Sequence, residues 1–215
     1  MPRESLSRKA GPMFIIVRHG NTFEADEQPR RIGARTDLPL TAKGKDQARA
    51  LGSCFAARGW HFGRVLVSPL LRTRQTAEGI IAQMPNASQV ETADFLREID
   101  HGPDENLPEE EVLARIGQEA LAAWECEAKV PPDWKVEPQA RVTAWKSLFA
   151  AEPAGGPPTL LVTSNGAARF ALLADHGLRE AAKTLSSLKL PTGGFGIVTR
   201  DPQRKLLLEA WGERP

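Results

Sequence analysis

A layered α/β domain on a largely parallel sheet is the fold class this sequence predicts, and three observations predict it. Short β-branched apolar runs recur along the chain, helical patterns fill the spaces between them, and the last two runs are separated only by a turn signal. The first run, MFIIV (Met13 to Val17), lies between Gly-Pro and a charged turn and reads as a buried strand. Thr41 is placed to N-cap a helix over Ala42 to Arg58, with Ala48, Leu51 and Phe55 on one face and Gly59 as its end. RVLVS (Arg64 to Ser68) is the next strand. Ser68 and Pro69 then suit an N-cap and first helical position, opening a helix through about Ile81.

Pro108 followed by Glu109, Glu110 and Glu111 opens another helix, with acidic groups where the dipole favours them, and Val112, Ile116 and Trp124 recur at helical spacing. A further helix over Pro138 to Ala151 carries Val142, Trp145 and Phe149, and AEPAGGPP (Ala151 to Pro158) is a flexible connection. TLLVT (Thr159 to Thr163), GIVTR (Gly196 to Arg200) and KLLLEAW (Lys205 to Trp211) complete the strands. Asp201, Pro202 and Gln203 between the last two predict an antiparallel hairpin at one edge. Residues 1–12 read as a disordered tail and 13–215 as a single domain.

Composition bounds the function. Of 215 residues, 41% are hydrophobic and 26% charged, a globular composition that argues against disorder. With 28 basic and 27 acidic residues the net charge is +1, which argues against nucleic acid as a partner held by bulk charge. The balance hides a segregation: the first 75 residues hold 14 basic and 6 acidic groups, whereas residues 76–127 hold 2 and 13. Cys54 and Cys126 lie far apart, and His19, His61, His101 and His176 show no ligand spacing, so no disulfide, metal or other cofactor is expected. No apolar run approaches the ~20 residues of a membrane span, and the polar start lacks the apolar core of a secretory signal. The expected setting is the cytoplasm, with no membrane partner. Trp60, Trp124, Trp134 and Trp145 serve equally as core or as anchors of an oligomer interface.

Three strands end in polar clusters: Arg18-His19-Gly20-Asn21-Thr22, Ser68-Pro69-Leu70-Leu71-Arg72, and Thr163-Ser164-Asn165-Gly166 with Arg169 a turn later. Ligands of open α/β sheets bind beyond the carboxyl ends of the strands, helix N-termini favour anions, and guanidinium groups bind two phosphate oxygens at once. Singly, each cluster has an ordinary reading as a turn or a solvated arginine. Their common placement points to a phosphate pocket containing a histidine.

FIIVRHGNT, GARTDLPLTAKGKDQARALG, VSPLLRTRQTA and FLREIDHG, in this order and spacing, resemble the histidine phosphatase superfamily, the branch that includes phosphoglycerate mutases. The resemblance runs over essentially the whole chain from Met13. It implies a three-layer α/β/α sandwich and a histidine that is transiently phosphorylated. His19 would be the nucleophile, Arg18 and Arg72 the phosphoryl clamp, Asn21 and Thr22 pocket-lining donors, and Glu98 the proton donor, with Asp100 and His101 in reserve. No metal is implied, since arginines supply the positive charge.

The sequence departs from the family in two places. Where a second histidine is usual, Asn165 stands; an amide donates a hydrogen bond but carries no charge. His101 and Arg35 are the candidates to compensate. The loop Glu24 to Arg35 also differs, and its Arg30, Arg31 and Arg35 either recognise an anionic substrate or face water. The reading is a metal-independent phosphatase of a small phosphomonoester acting through phosphohistidine at His19. The alternatives are a mutase-type phosphotransferase and a non-catalytic phospho-ligand sensor, the latter because of Asn165.

Overall fold

A computed structural model describes residues 13–84, 89–152, 156–201 and 203–215. The expected tail, and part of the expected connection before Thr159, lie outside the described residues. Six strands form one mixed sheet: β1 (Met13–Arg18), β2 (Arg64–Val67), β3 (Val90–Thr92), β4 (Thr159–Thr163), β5 (Phe195–Arg200) and β6 (Leu206–Glu213), in the order β3-β2-β4-β1-β5-β6. β1, β2, β3 and β4 run parallel, while β5 and β6 form the antiparallel edge.

Alternation along the central strands sends side chains into two cores. Phe14, Ile16 and Leu161 face Trp124, Trp145, Phe149 and Phe170 on one side. Ile15, Val17, Leu160 and Val162 face Leu51, Phe55, Ala77 and Ile80 on the other. Helices α1 (Ala42–Ala57) and α2 (Leu71–Ile81) cover the second face. Helices α3 (Glu109–Glu127), α4 (Pro138–Ala151), α5 (Asn165–Leu173) and α6 (His176–Ala182) cover the first. The result is the three-layer α/β/α sandwich. Trp124, Trp134 and Trp145 are buried in it and so act as core rather than as interface anchors.

Two local expectations need correction. Ser68 does not cap α2 and Pro69 is not its first residue: Leu70 is extended, the helix starts at Leu71, and the Leu71 N–H donates to the Asp37 carboxylate at 2.6 Å. A distant anion thus takes the cap, a role that favours an acid at the positive helix end. The helical pattern through Val112, Ile116 and Trp124 is also not one helix, because Gly117 breaks it at φ 81° and ψ 160°, a conformation that a side chain would strain. β3 and α6 have no counterpart in the sequence reading. By contrast, the Thr41 hydroxyl accepts from the Gly44 N–H at 3.1 Å, as an N-cap should.

Candidate active site

Because β1, β2 and β4 are parallel, their carboxyl ends share one edge, and in-register pairing of Arg18 with Thr163 brings the three polar clusters together. Beyond that edge lies a cavity of about 550 Å³, lined among others by Arg18, His19, Asn21, Thr22, Glu98, His101 and Asn165. Arg72 reaches the same place by donating from Nε to His19 Nε2 at 3.2 Å.

The state of His19 follows from its partners. Nδ1 lies 2.7 Å from the Gly20 carbonyl oxygen, which can only accept, so Nδ1 carries the proton. Nε2 therefore presents its lone pair to the cavity side, where the Arg72 N–H meets it. Burial, and after it the charges of Arg72 and Arg18, hold the His19 pKa well below its ordinary value, against the opposing pull of the Gly20 carbonyl. A neutral imidazole with an unprotonated Nε2 is the form that can attack phosphorus once the Arg72 N–H turns from Nε2 to the phosphoryl group.

Arg72 is fully buried and rigidly held: Nη1 donates to the Thr36 carbonyl at 2.6 Å and Nη2 to the Gly33 carbonyl at 3.1 Å. Those carbonyls belong to a loop organised by Glu105. Its Oε1 accepts from the Gly33 N–H, the Arg35 N–H and the Thr36 hydroxyl, and its Oε2 from the His101 N–H. Burial alone would push the Glu105 carboxyl up, but the hydrogen bonds from His101 and Thr36 outweigh it and hold the group at about 2. Arg18 donates from Nη1 to the Leu190 carbonyl at 2.7 Å, and burial lowers its pKa to about 10 against the raising effect of Glu98, which still leaves it charged at neutral pH.

Glu98 is 5% exposed and sits between two backbone donors: Oε2 accepts from the Gly166 N–H at 3.0 Å and Oε1 from the Ile99 N–H at 2.9 Å. The segment before it is pinned by the Thr163 hydroxyl on the Leu96 carbonyl and by Arg141 on the Arg97 carbonyl. A Cβ on Gly166 would lie 2.3 Å from Glu98 Oε1, so the absence of a side chain there is what lets the carboxylate approach. Gly166→Ala is expected to cost about 1–3 kcal/mol of stability by overpacking. Because the atom that must move is the Glu98 carboxylate, turnover at the site should fall further than the lost stability accounts for. Urea unfolding beside a turnover assay checks this, and unchanged turnover would remove Glu98 from the site.

The amide of Asn165 has a fixed orientation. The Leu190 N–H can only donate, so the oxygen 3.0 Å from it must be Oδ1, and Nδ2 is left as the donor. One residue, Leu190, thus ties Asn165 to Arg18 through its N–H and its carbonyl. Asn21 lines the cavity with its Nδ2 on the Phe23 carbonyl, and Thr22 is buried beside it. His101 lines the cavity too, edge-on to Trp134 and with Nδ1 3.5 Å from Glu105 Oε2. Arg35 is not brought to the cavity: its Nε donates to Asp100 at 3.1 Å and its Nη2 to the Gly102 carbonyl, which hold it at the outside of the loop. Asp100 is engaged there as well. The roles at the site of Asp37, Glu105, Trp124 and the carbonyls of Gly33 and Thr36 escaped the sequence reading, since each depends on a partner more than 30 residues away, a separation that spacing cannot reveal. No group of three or more His, Cys, Asp or Glu among the described residues is placed to hold a metal ion.

The profile of the histidine phosphatase superfamily, branch 1, matches residues 14–212. The chain belongs to this superfamily. Among curated relatives, it is 38% identical over 100 residues to the uncharacterized phosphatase PhoE of Bacillus subtilis (strain 168), a match covering 46% of this chain and 49% of that protein. It is 28% identical over 120 residues to a 2,3-bisphosphoglycerate-dependent phosphoglycerate mutase of Porphyromonas gingivalis, covering 55% of this chain and 48% of the mutase. The chain thus spans about half the length of these relatives. Among solved structures, the native mycobacterial glucosyl-3-phosphoglycerate phosphatase superposes with a TM-score of 0.74 at 21% identity, covering 95% of this chain and 100% of that one. That likeness is one of fold. No described helix of this superfamily member is long and apolar enough to cross a membrane.

Proposed function

We propose that this histidine phosphatase superfamily member hydrolyses a small phosphomonoester through a phosphohistidine at His19. The observation that carries the reading is the His19 tautomer, with Nδ1–H on the Gly20 carbonyl and the Nε2 lone pair facing Arg72. In the first step Nε2 bonds to phosphorus, the P–O ester bond breaks, and the leaving oxygen takes the proton of the Glu98 carboxylic acid. In the second, the Glu98 carboxylate takes a proton from water, the water oxygen attacks phosphorus, and the P–N bond breaks to release phosphate. Arg18 and Arg72 hold the phosphoryl oxygens and stabilise the charge that develops on them. Asn165 Nδ2 adds a neutral donor, without the positive charge that a protonated histidine would supply.

The experiment is to trap the intermediate. Wild-type protein mixed with a labelled phosphomonoester and quenched in alkali should carry label that acid removes. His19→Ala should carry none and should lose phosphate release. Unchanged turnover in that variant would overturn the mechanism. The match to a phosphoglycerate mutase favours a second reading, transfer of the phosphoryl group to another hydroxyl of the same metabolite. Phosphate exchange between phosphoglycerates without net release would select it. Asn165 favours a third, a phospho-ligand sensor, which tight phosphate binding without turnover would select.

A further inference from the structure

Arg169 carries a charge that the chemistry at His19 does not use. It lies on α5, a turn beyond Asn165, is 0% exposed, and lines the cavity. Its Nη1 donates to the Trp124 carbonyl, and its guanidinium carbon sits 4.0 Å from the centre of the Trp124 ring. Nε and Nη2 are buried and reach no acceptor among the described residues. Water could meet those two N–H groups, but a buried guanidinium also needs an opposite charge.

The carboxylates in electrostatic reach of Arg169 are Glu98 and Glu125. Glu98 serves Arg18, Arg72 and Arg141 as well, and Glu125 lies 3.5 Å from Lys189. Arg31 repeats the pattern on the same cavity: Nη2 is paired with Glu109, the guanidinium lies 5.1 Å from the Trp134 ring centre, and Nε is buried without a partner. Arg31 and Arg169 lie near enough to repel one another. The charges that bear on His19 are instead those of Arg72 and Arg18. Two cations with buried, unused donors therefore line the same cavity, outside the set that acts on the nucleophile.

We propose that Arg169 and Arg31 form a second anion subsite, which receives a carboxylate or a second phosphoryl group on the leaving half of the substrate. The substrate class is then a phosphomonoester carrying a second anionic group. This rests on the reading of the His19 end as the phosphoryl pocket. The Trp124 and Trp134 rings pack against the two guanidiniums, and the Arg169 Nε–Nη2 edge is a fork left open to two oxygens, with Arg31 Nε as a further donor.

The test is calorimetric binding of non-hydrolysable probes: alkylphosphonates, phosphonocarboxylates of matching length from phosphonoacetate upward, and the corresponding bisphosphonates. Wild-type protein should bind the best doubly anionic probe at least about tenfold more tightly than its alkylphosphonate control. Within Arg169→Gln, and separately within Arg31→Gln, that ratio should fall towards one, and Arg169→Lys should recover part of it. Two sites of substitution guard against a variant that fails to fold. Comparison of the carboxylate and bisphosphonate series identifies which anion the subsite takes. A wild-type ratio of one in both series, or a ratio that neither substitution changes, overturns the subsite while leaving the phosphoryl pocket standing. Failure of every probe and of inorganic phosphate to bind would overturn the pocket and the subsite together.

Discussion

Glu98→Gln should lower kcat/KM on an alkyl phosphomonoester by about 10²–10⁴-fold, the range for loss of a positioned general acid. On p-nitrophenyl phosphate the loss in kcat/KM, which reports the step that breaks the ester bond, should be far smaller, because a nitrophenolate leaves without needing a proton. The geometry explains why the substitution does more than neutralise. Both Glu98 oxygens accept backbone N–H groups, from Gly166 and Ile99, and a glutamine must turn its NH₂ towards one of them. Glu98→Asp keeps the acid and both acceptors but withdraws the carboxyl by one methylene, so it should fall between wild type and Glu98→Gln. The measurement is the ratio of kcat/KM on the two substrates in each variant. Equal losses on both would mean that Glu98 positions the site without donating a proton.

Much of the fold was legible because its signals are local. The β-branched runs become β1, β2, β4 and β5, and the Thr41 cap and the Pro138 start sit where the pattern puts them. The errors arose where a distant group overrides a local signal. Ser68-Pro69 is a strong helix start by itself, but Asp37 offers the Leu71 N–H a charged acceptor, and the helix begins there. Gly117 can adopt a positive φ without cost, so apolar spacing that runs through it does not keep one helix straight. β3 is three exposed residues whose strand character comes from pairing with β2, not from any periodicity of their own.

The same division holds at the site. Arg18, His19 and Asn165 come together because parallel strands align their ends, which alternation of strands and helices already implies, whereas Glu98 was expected only from the family resemblance. Arg35 lay beyond that logic, since what decides its direction is Asp100, 65 residues away. Glu105 was invisible for the same reason. Its carboxylate acts through the backbone N–H groups of Gly33, Arg35 and His101 and the Thr36 hydroxyl, and the carbonyls of Gly33 and Thr36 in turn hold Arg72. The sequence places arginines near a pocket; which donors remain unused is a property of packing alone.

Arg72 should separate charge from geometry. Arg72→Lys keeps the charge but cannot reach His19 Nε2 and the carbonyls of Gly33 and Thr36 together, as the guanidinium does. It should lower kcat/KM by about 10²–10³-fold, the usual cost of losing a preorganised donor to developing charge. Arg72→Gln removes the charge as well, and so should also change the pH profile. His19 attacks only when neutral, so activity is lost as pH falls through its pKa, which burial, Arg72 and Arg18 place well below the ordinary value. Without the Arg72 charge that pKa must rise, because protonating the imidazole no longer sets two cations against each other. The acid limb of kcat/KM should therefore move to higher pH in Arg72→Gln and stay near its wild-type position in Arg72→Lys, although both variants are slow. Burial is the larger cause and persists, so the limb should stop short of the ordinary imidazole value. A limb that does not move in Arg72→Gln would mean that the group titrating there is not His19.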